Sequence, residues 1–123
     1  MQLPVKIPAQ AVEVSRTSMN TLSADTFLGV PYNIASYAIL LRLFAEKLNM
    51  APGRLILTFG DVHLYKNHVD QAITQLSRTP CAPPSLHINK DILESHDIWD
   101  MPYEAFSLEG YAPQGVIKAA VAV

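Results

Sequence analysis

Apolar positions recur along this chain in more than one rhythm, and each rhythm predicts a different element. From Asn33 onward, Ile34, Tyr37, Leu40, Leu41, Phe44 and Leu48 follow mostly at three- and four-residue steps. That spacing lays one broad apolar stripe along a helix. Ala38, Ile39 and Leu43 fall between those positions, so burial on most sides is expected. Pro31 suits the first helical turn, where a missing N–H costs nothing. Pro52-Gly53 is expected to stop the helix. Arg54–Phe59, reading RLILTF between Gly53 and Gly60, has the composition of a central strand.

Weaker signals fill in the rest. Val12-Glu13-Val14 alternates and suits a short strand. Thr21 to Gly29 reads as a loop with Asp25 and Gly29 as its turn residues. Asn67 to Ser77 returns to helical spacing through Val69, Ala72, Ile73 and Leu76. The stretch CAPPSLHINK breaks that helix and leads into a strand at Ser85–Asn89, its start confined by Pro83 and Pro84. A last short strand is expected at Ala105–Glu109. These elements predict an α+β fold, with one long buried helix packed on a mixed β-sheet.

Composition narrows the picture without naming a function. The 123 residues are half apolar and 16% charged, a globular composition of one-domain size. Eleven Asp+Glu against nine Lys+Arg give a formal charge of −2, and no basic run marks a nucleic-acid partner. A single cysteine, Cys81, forbids an internal disulfide and points to no oxidising compartment. Residues 1–20 have no apolar core of signal-peptide type. The helix from Ile34 to Leu48 is interrupted by Arg42, Glu46 and Lys47, so it is no membrane span. A soluble cytoplasmic protein is therefore expected. His63 and His68 lack the H-E-x-x-H spacing and a third ligand, so no metal site is expected.

Three stretches carry a more specific message. Leu28-Gly29-Val30-Pro31-Tyr32-Asn33-Ile34-Ala35-Ser36-Tyr37, reached through Ser23-Ala24-Asp25, is the first. Gly60-Asp61-Val62-His63-Leu64-Tyr65-Lys66-Asn67-His68 is the second. The third is Gly110-Tyr111 followed by Ile117-Lys118-Ala119-Ala120-Val121-Ala122-Val123. In order and spacing they resemble the thymidylate synthase family over about Ser23 to Val123, in its C-terminal half. The resemblance implies residues 21–123 as a portion of that fold and residues 1–20 as a divergent N-terminal segment. The implied reaction converts dUMP to dTMP and dihydrofolate, with 5,10-methylenetetrahydrofolate as one-carbon donor and reductant.

Residue by residue, the resemblance implies the following roles. Asn33 meets the N3/O4 edge of the pyrimidine, where an amide supplies both donor and acceptor. Outside the motif, an asparagine there would read as a helix cap. His63 and Tyr65 hydrogen-bond the deoxyribose 3′-hydroxyl, and as i and i+2 on an extended segment they point the same way. Ser23 meets the nucleotide phosphate. Asp25 meets both the folate pterin ring and, through its backbone, the uracil; without the motif it would be a capping aspartate. Leu28, Gly29 and Tyr32 line the folate side, and Ala122 and Val123 close over it.

Two departures from the family pattern matter. The family reads Q-R-S-x-D where this chain reads Thr21-Leu22-Ser23-Ala24-Asp25, so Leu22 replaces the arginine that grips phosphate. An apolar side chain cannot replace a bidentate guanidinium; Arg16 is the nearest cation in sequence. The family's catalytic cysteine, in a P-C-H context, precedes this region, and Cys81 lies in Pro80-Cys81-Ala82-Pro83-Pro84 after the second helix. No catalytic nucleophile is therefore expected among these residues, and the chain alone is expected to be inactive. It is expected to pair with a complementary N-terminal synthase fragment or with itself as a homodimer, covering strand edges and an exposed helix face. Alternatives are a degenerate paralogue that binds a full-length synthase and a pyrimidine hydroxymethylase. Cytosine-specific hydroxymethylases tend to carry aspartate where Asn33 stands.

Overall fold

The computed structural model describes residues 14–121, with the backbone alone for residues 14–16, 21 and 22. Val12 and Glu13 of the first expected strand lie outside the described residues. The chain runs β1 (Val14–Asp25), α1 (Val30–Lys47), β2 (Ala51–His63), a 3-10 turn (Lys66–His68), α2 (Val69–Leu76), β3 (Ser85–Ile88), α3 (Lys90–Ser95) and β4 (Phe106–Glu109). The class is α+β, as expected. The parallel and antiparallel pairings sit in separate two-stranded sheets among the described residues, β1 with β2 and β3 with β4, rather than in one mixed sheet.

β1, α1 and β2 form a β-α-β unit. The two strands are parallel, with Thr21 opposite Phe59, Ser23 opposite Asp61 and Asp25 opposite His63. The loop expected at Thr21–Gly29 is thus half strand: β1 runs on to Asp25 and only residues 26–29 turn. The ladder explains the difference, because backbone pairing with β2 satisfies the amides of a polar segment as well as those of an apolar one. A register irregularity lies between Ser15 and Thr17, opposite the Pro52-to-Leu55 segment. Pro52, which has no N–H, is the last position registered before the break, opposite Ser15, and Gly53 falls within it.

α1 ends at Lys47, and not at Pro52-Gly53. Asn49 adopts φ 54°, its N–H donates to the Glu46 carbonyl at 3.2 Å, and the Met50 N–H donates to the Ala45 carbonyl at 2.7 Å. This pair of bonds closes a helix C-terminus around a left-handed residue, a place that asparagine tolerates. Pro52 and Gly53 belong to β2.

The expected burial of α1 on most sides is not seen. Only Leu41, Leu43 and Ala45 are fully buried, while Ile34, Ile39, Leu40 and Phe44 stay exposed. Leu41 and Ala45 share one face, and Leu43 lies about 200° round the axis from Leu41. Leu43 joins Ile88 and Leu93, with Leu86, Ile98, Met101 and Phe106 packed around them. This cluster fastens α1 to the antiparallel β3–β4 pair. The Lys47 ammonium reinforces the same junction, donating to the carbonyls of Leu93 at 2.6 Å and His96 at 2.8 Å. α3, which periodicity did not reveal, is capped by Asn89, whose Oδ1 accepts from Asp91 and Ile92 N–H. Among the described residues no helix is long and apolar enough to cross a membrane.

Candidate functional site

The carboxyl ends of β1 and β2 finish side by side, and the chain leaves each in a way that gathers polar side chains. After Asp25 the turn is closed by backbone: Gly29 N–H donates to the Asp25 carbonyl at 3.1 Å, and Thr26 N–H to the His63 carbonyl at 3.0 Å. The Thr26 hydroxyl donates to that same His63 carbonyl at 2.9 Å. Two strand ends are thereby locked to each other. A Cβ on Gly29 would stand 3.1 Å from the Asp25 carbonyl oxygen, so the close approach selects glycine there although its φ of −87° is ordinary.

Asp25 does two things at once. Its Oδ1 accepts from the N–H groups of Phe27 at 3.0 Å and Leu28 at 3.4 Å, which is the capping behaviour expected of a bare aspartate at a turn. Its Oδ2 has no partner among the described residues and is free to meet a donor. Alternation puts Ser23, Asp25, Asp61 and His63 on one face of the ladder. Ser23 is exposed and Asp25 half-buried.

Asn33 is not a cap. The N-cap of α1 is Gly29, which makes no side-chain capping bond, and Asn33 lies one turn in, its N–H donating to the Gly29 carbonyl at 3.1 Å. Its amide side chain is half-buried and has no hydrogen-bond partner among the described residues. Helix placement thus fixes a donor–acceptor group close to the Asp25 turn and leaves it uncommitted. Tyr32, its neighbour, is 75% exposed, while Leu28 and Gly29 are half-buried.

His63 and Tyr65 converge as the i, i+2 spacing implied. Their rings meet edge to face, with centroids 5.0 Å apart and planes at 83°. The His63 Nδ1 lies 3.2 Å from the Asp61 carbonyl, which orients the ring, and Nε2 has no hydrogen-bond partner among the described residues. Tyr65 in turn contacts the ring of His68 at 5.8 Å, and His68 contacts Phe27 at 5.5 Å. His68 is the one fully buried polar residue among those described, and its Nε2 lies 2.7 Å from the Ala120 carbonyl. That nitrogen is committed to the tail and does not form a ligand pair with His63. Sequence reading missed this role because Ala120 is 52 positions away and leaves no periodic trace.

Cys81 is exposed in the loop after α2, whereas His63, Tyr65 and His68 precede that helix. The eight residues of α2 separate the two ends by roughly 12 Å. Ala122, Val123, the Leu22 side chain and the Arg16 side chain lie outside what the structure describes.

Comparison with known families decides the lineage of this arrangement. A family model described as thymidylate synthase matches residues 3–123. The chain belongs to the thymidylate synthase family. The match begins upstream of Ser23, where the motif resemblance starts, and Val14, Ser15 and Thr17 to Asn20 pair with β2 as part of β1. Thymidylate synthases bind dUMP and folate, use methylenetetrahydrofolate as co-substrate and are typically dimeric.

Proposed function

We propose that these residues form the uracil, deoxyribose and folate wall of a thymidylate synthase. It converts dUMP and methylenetetrahydrofolate to dTMP and dihydrofolate once a cysteine thiolate is supplied by sequence outside these 123 residues. In this reading Asn33 frames the pyrimidine edge, His63 and Tyr65 hold the 3′-hydroxyl, and Ser23 meets the phosphate. Asp25 offers its outer oxygen to the pterin, with Leu28, Gly29 and Tyr32 beside it and Ala122 and Val123 over it.

The single observation that carries this reading is the convergence of uncommitted polar groups at the joined ends of β1 and β2. Asn33 and the second oxygen of Asp25 have no partner among the described residues, and the His63–Tyr65 pair is already in contact. Side chains of the right chemistry, each with a polar atom left free, are what a ligand wall requires. The position of Cys81 beyond the far end of α2 supports an external nucleophile. The addition step needs a thiolate directly against C6 of the base. Removing a nucleophile leaves only residual catalysis from neighbouring groups. The exposed apolar face of α1 supports an association that covers it, either with a complementary N-terminal synthase segment or within a homodimer.

The test is reconstitution. This chain is mixed with an N-terminal synthase fragment bearing the P-C-H cysteine, and dihydrofolate formation from dUMP and methylenetetrahydrofolate is followed. Turnover only in the mixture supports the proposal, and turnover by this chain alone refutes it. Leu22 favours a second reading, a non-catalytic paralogue that binds a full-length synthase. Under that reading Leu22→Arg restores nucleotide binding to an otherwise silent mixture, and tight association with intact synthase occurs without reconstituted turnover.

A further inference from the structure

Among the described residues, the side-chain hydrogen bonds that tie down the tail after β4 lie at the two ends of α2. Near its start, the Gln114 amide donates to the Thr79 carbonyl at 2.6 Å, just past the helix. Near its end, the Ala120 carbonyl sits 2.7 Å from His68 Nε2 and 3.4 Å from Asn67 Nδ2, in the 3-10 turn that leads into the helix. The tail therefore runs antiparallel to α2. Because a carbonyl only accepts, the Nε2 facing Ala120 is the donor. Nδ1 is buried with no partner among the described residues, so the contact with the Ala120 carbonyl is the hydrogen bond that this ring makes there.

We propose that His68 is a positioning residue, a latch that holds the C-terminal tail through Ala120 and links the tail to the nucleotide-sugar pair. The link is the sequence of ring contacts from His63 to Tyr65, from Tyr65 to His68, and from His68 to Phe27 in the Asp25 turn. His68 is fully enclosed, and the rings of Tyr65 and Phe27 are packed against it. Fixing Tyr65 from the nucleotide side therefore fixes the direction of the Nε2–H donor, and the tail is held more firmly. The coupling part of this inference rests on the role proposed above for His63 and Tyr65; the latch itself does not.

Limited trypsin digestion of the full chain tests it. Lys118 is exposed two residues before the latch point, and a protease must lift the surrounding segment to cut after it. Arg54, also exposed but within β2, reports general loosening, so the ratio of cleavage at Lys118 to cleavage at Arg54 is read. His68→Phe keeps the ring and removes the donor, and is expected to raise the ratio about five-fold, the loss of one ordinary hydrogen bond at 1.4 kcal/mol per tenfold. His68→Gln retains a donor and is expected to lie nearer the wild type. Added dUMP is expected to lower the ratio in the wild type and leave His68→Phe unchanged. An unchanged ratio in His68→Phe, or a rise that His68→Gln does not reduce, overturns the latch. Equilibrium dialysis with labelled dUMP accompanies the digestion. A five-fold rise in His68→Phe with dUMP bound but no change in either ratio keeps the latch and overturns the link. Absence of dUMP binding overturns the nucleotide role proposed above and the link with it.

Discussion

Replacing Asp25 separates its structural task from its proposed chemical one. Asp25→Ala removes the acceptor for two backbone N–H groups, Phe27 at 3.0 Å and Leu28 at 3.4 Å. Loss of a capping acceptor typically costs about 1 kcal/mol. The 3.4 Å contact is near the outer limit of a hydrogen bond and adds little. Asp25→Ala is therefore expected to lose about 1 to 1.5 kcal/mol. Asp25→Asn keeps an oxygen for the same two donors and is expected to lose about 0.5 kcal/mol or less, since only the charge assistance is removed. Urea denaturation followed by far-UV circular dichroism, at fixed protein concentration, reads both values; the m-value should stay constant. If Asp25→Asn loses as much as Asp25→Ala, or if neither loses anything, the capping account is wrong. The chemical role is read in the reconstituted enzyme carrying Asp25→Asn. With its oxygen committed to the turn, the introduced amide would present an NH2 group outward, where a pterin N–H needs an acceptor. Folate affinity should fall at least about ten-fold, or about 1.4 kcal/mol, in a protein that is otherwise folded.

Three further perturbations probe the frame and the missing nucleophile. Leu43→Ala, which opens the cluster joining α1 to Ile88 and Leu93, should cost about 3 kcal/mol in the same urea assay. A loss below about 1 kcal/mol would show that the β3–β4 pair is held some other way. Lys47→Met keeps the aliphatic stem and removes the donor to the Leu93 and His96 carbonyls; a loss of about 1 to 2 kcal/mol is expected, with no loss counting against that junction. Cys81→Ser should leave reconstituted turnover within about two-fold of the parent, because the thiol is exposed beyond α2. A fall of several orders of magnitude would make Cys81 the nucleophile.

The elements that were legible in the sequence are those whose side chains carry the signal. α1 announced itself through Ile34 to Leu48, and β2 through RLILTF, because burial on one side writes a period into the chain. The stop of α1 was misread because Asn49 ends the helix by backbone geometry, which the Pro-Gly pair just beyond it overshadowed. The second half of β1 was illegible for a related reason: Thr21 to Asp25 is polar and is held extended by the β2 backbone opposite it. α3 is only six residues long, too short to write a period, and its one clue was Asn89 as a cap. In the site, Asp25 and the His63–Tyr65 pair could be read from local spacing and motif. His68 could not, since its partner is a main-chain carbonyl whose own side chain, an alanine methyl, says nothing. Asn33 is the reverse case, where a general rule pointed to a cap and the motif pointed to a ligand; its place one turn inside α1 excludes the cap.

The most direct test of the central claim is growth of a thymidine-requiring, synthase-null bacterium without thymidine. This chain is expressed there alone and together with an N-terminal synthase fragment that supplies the cysteine, with both polypeptides confirmed by immunoblot. The account predicts growth only when both are present, and loss of that growth when Asn33→Ala is introduced into this chain. Growth with this chain alone, or no growth with both present, would contradict it.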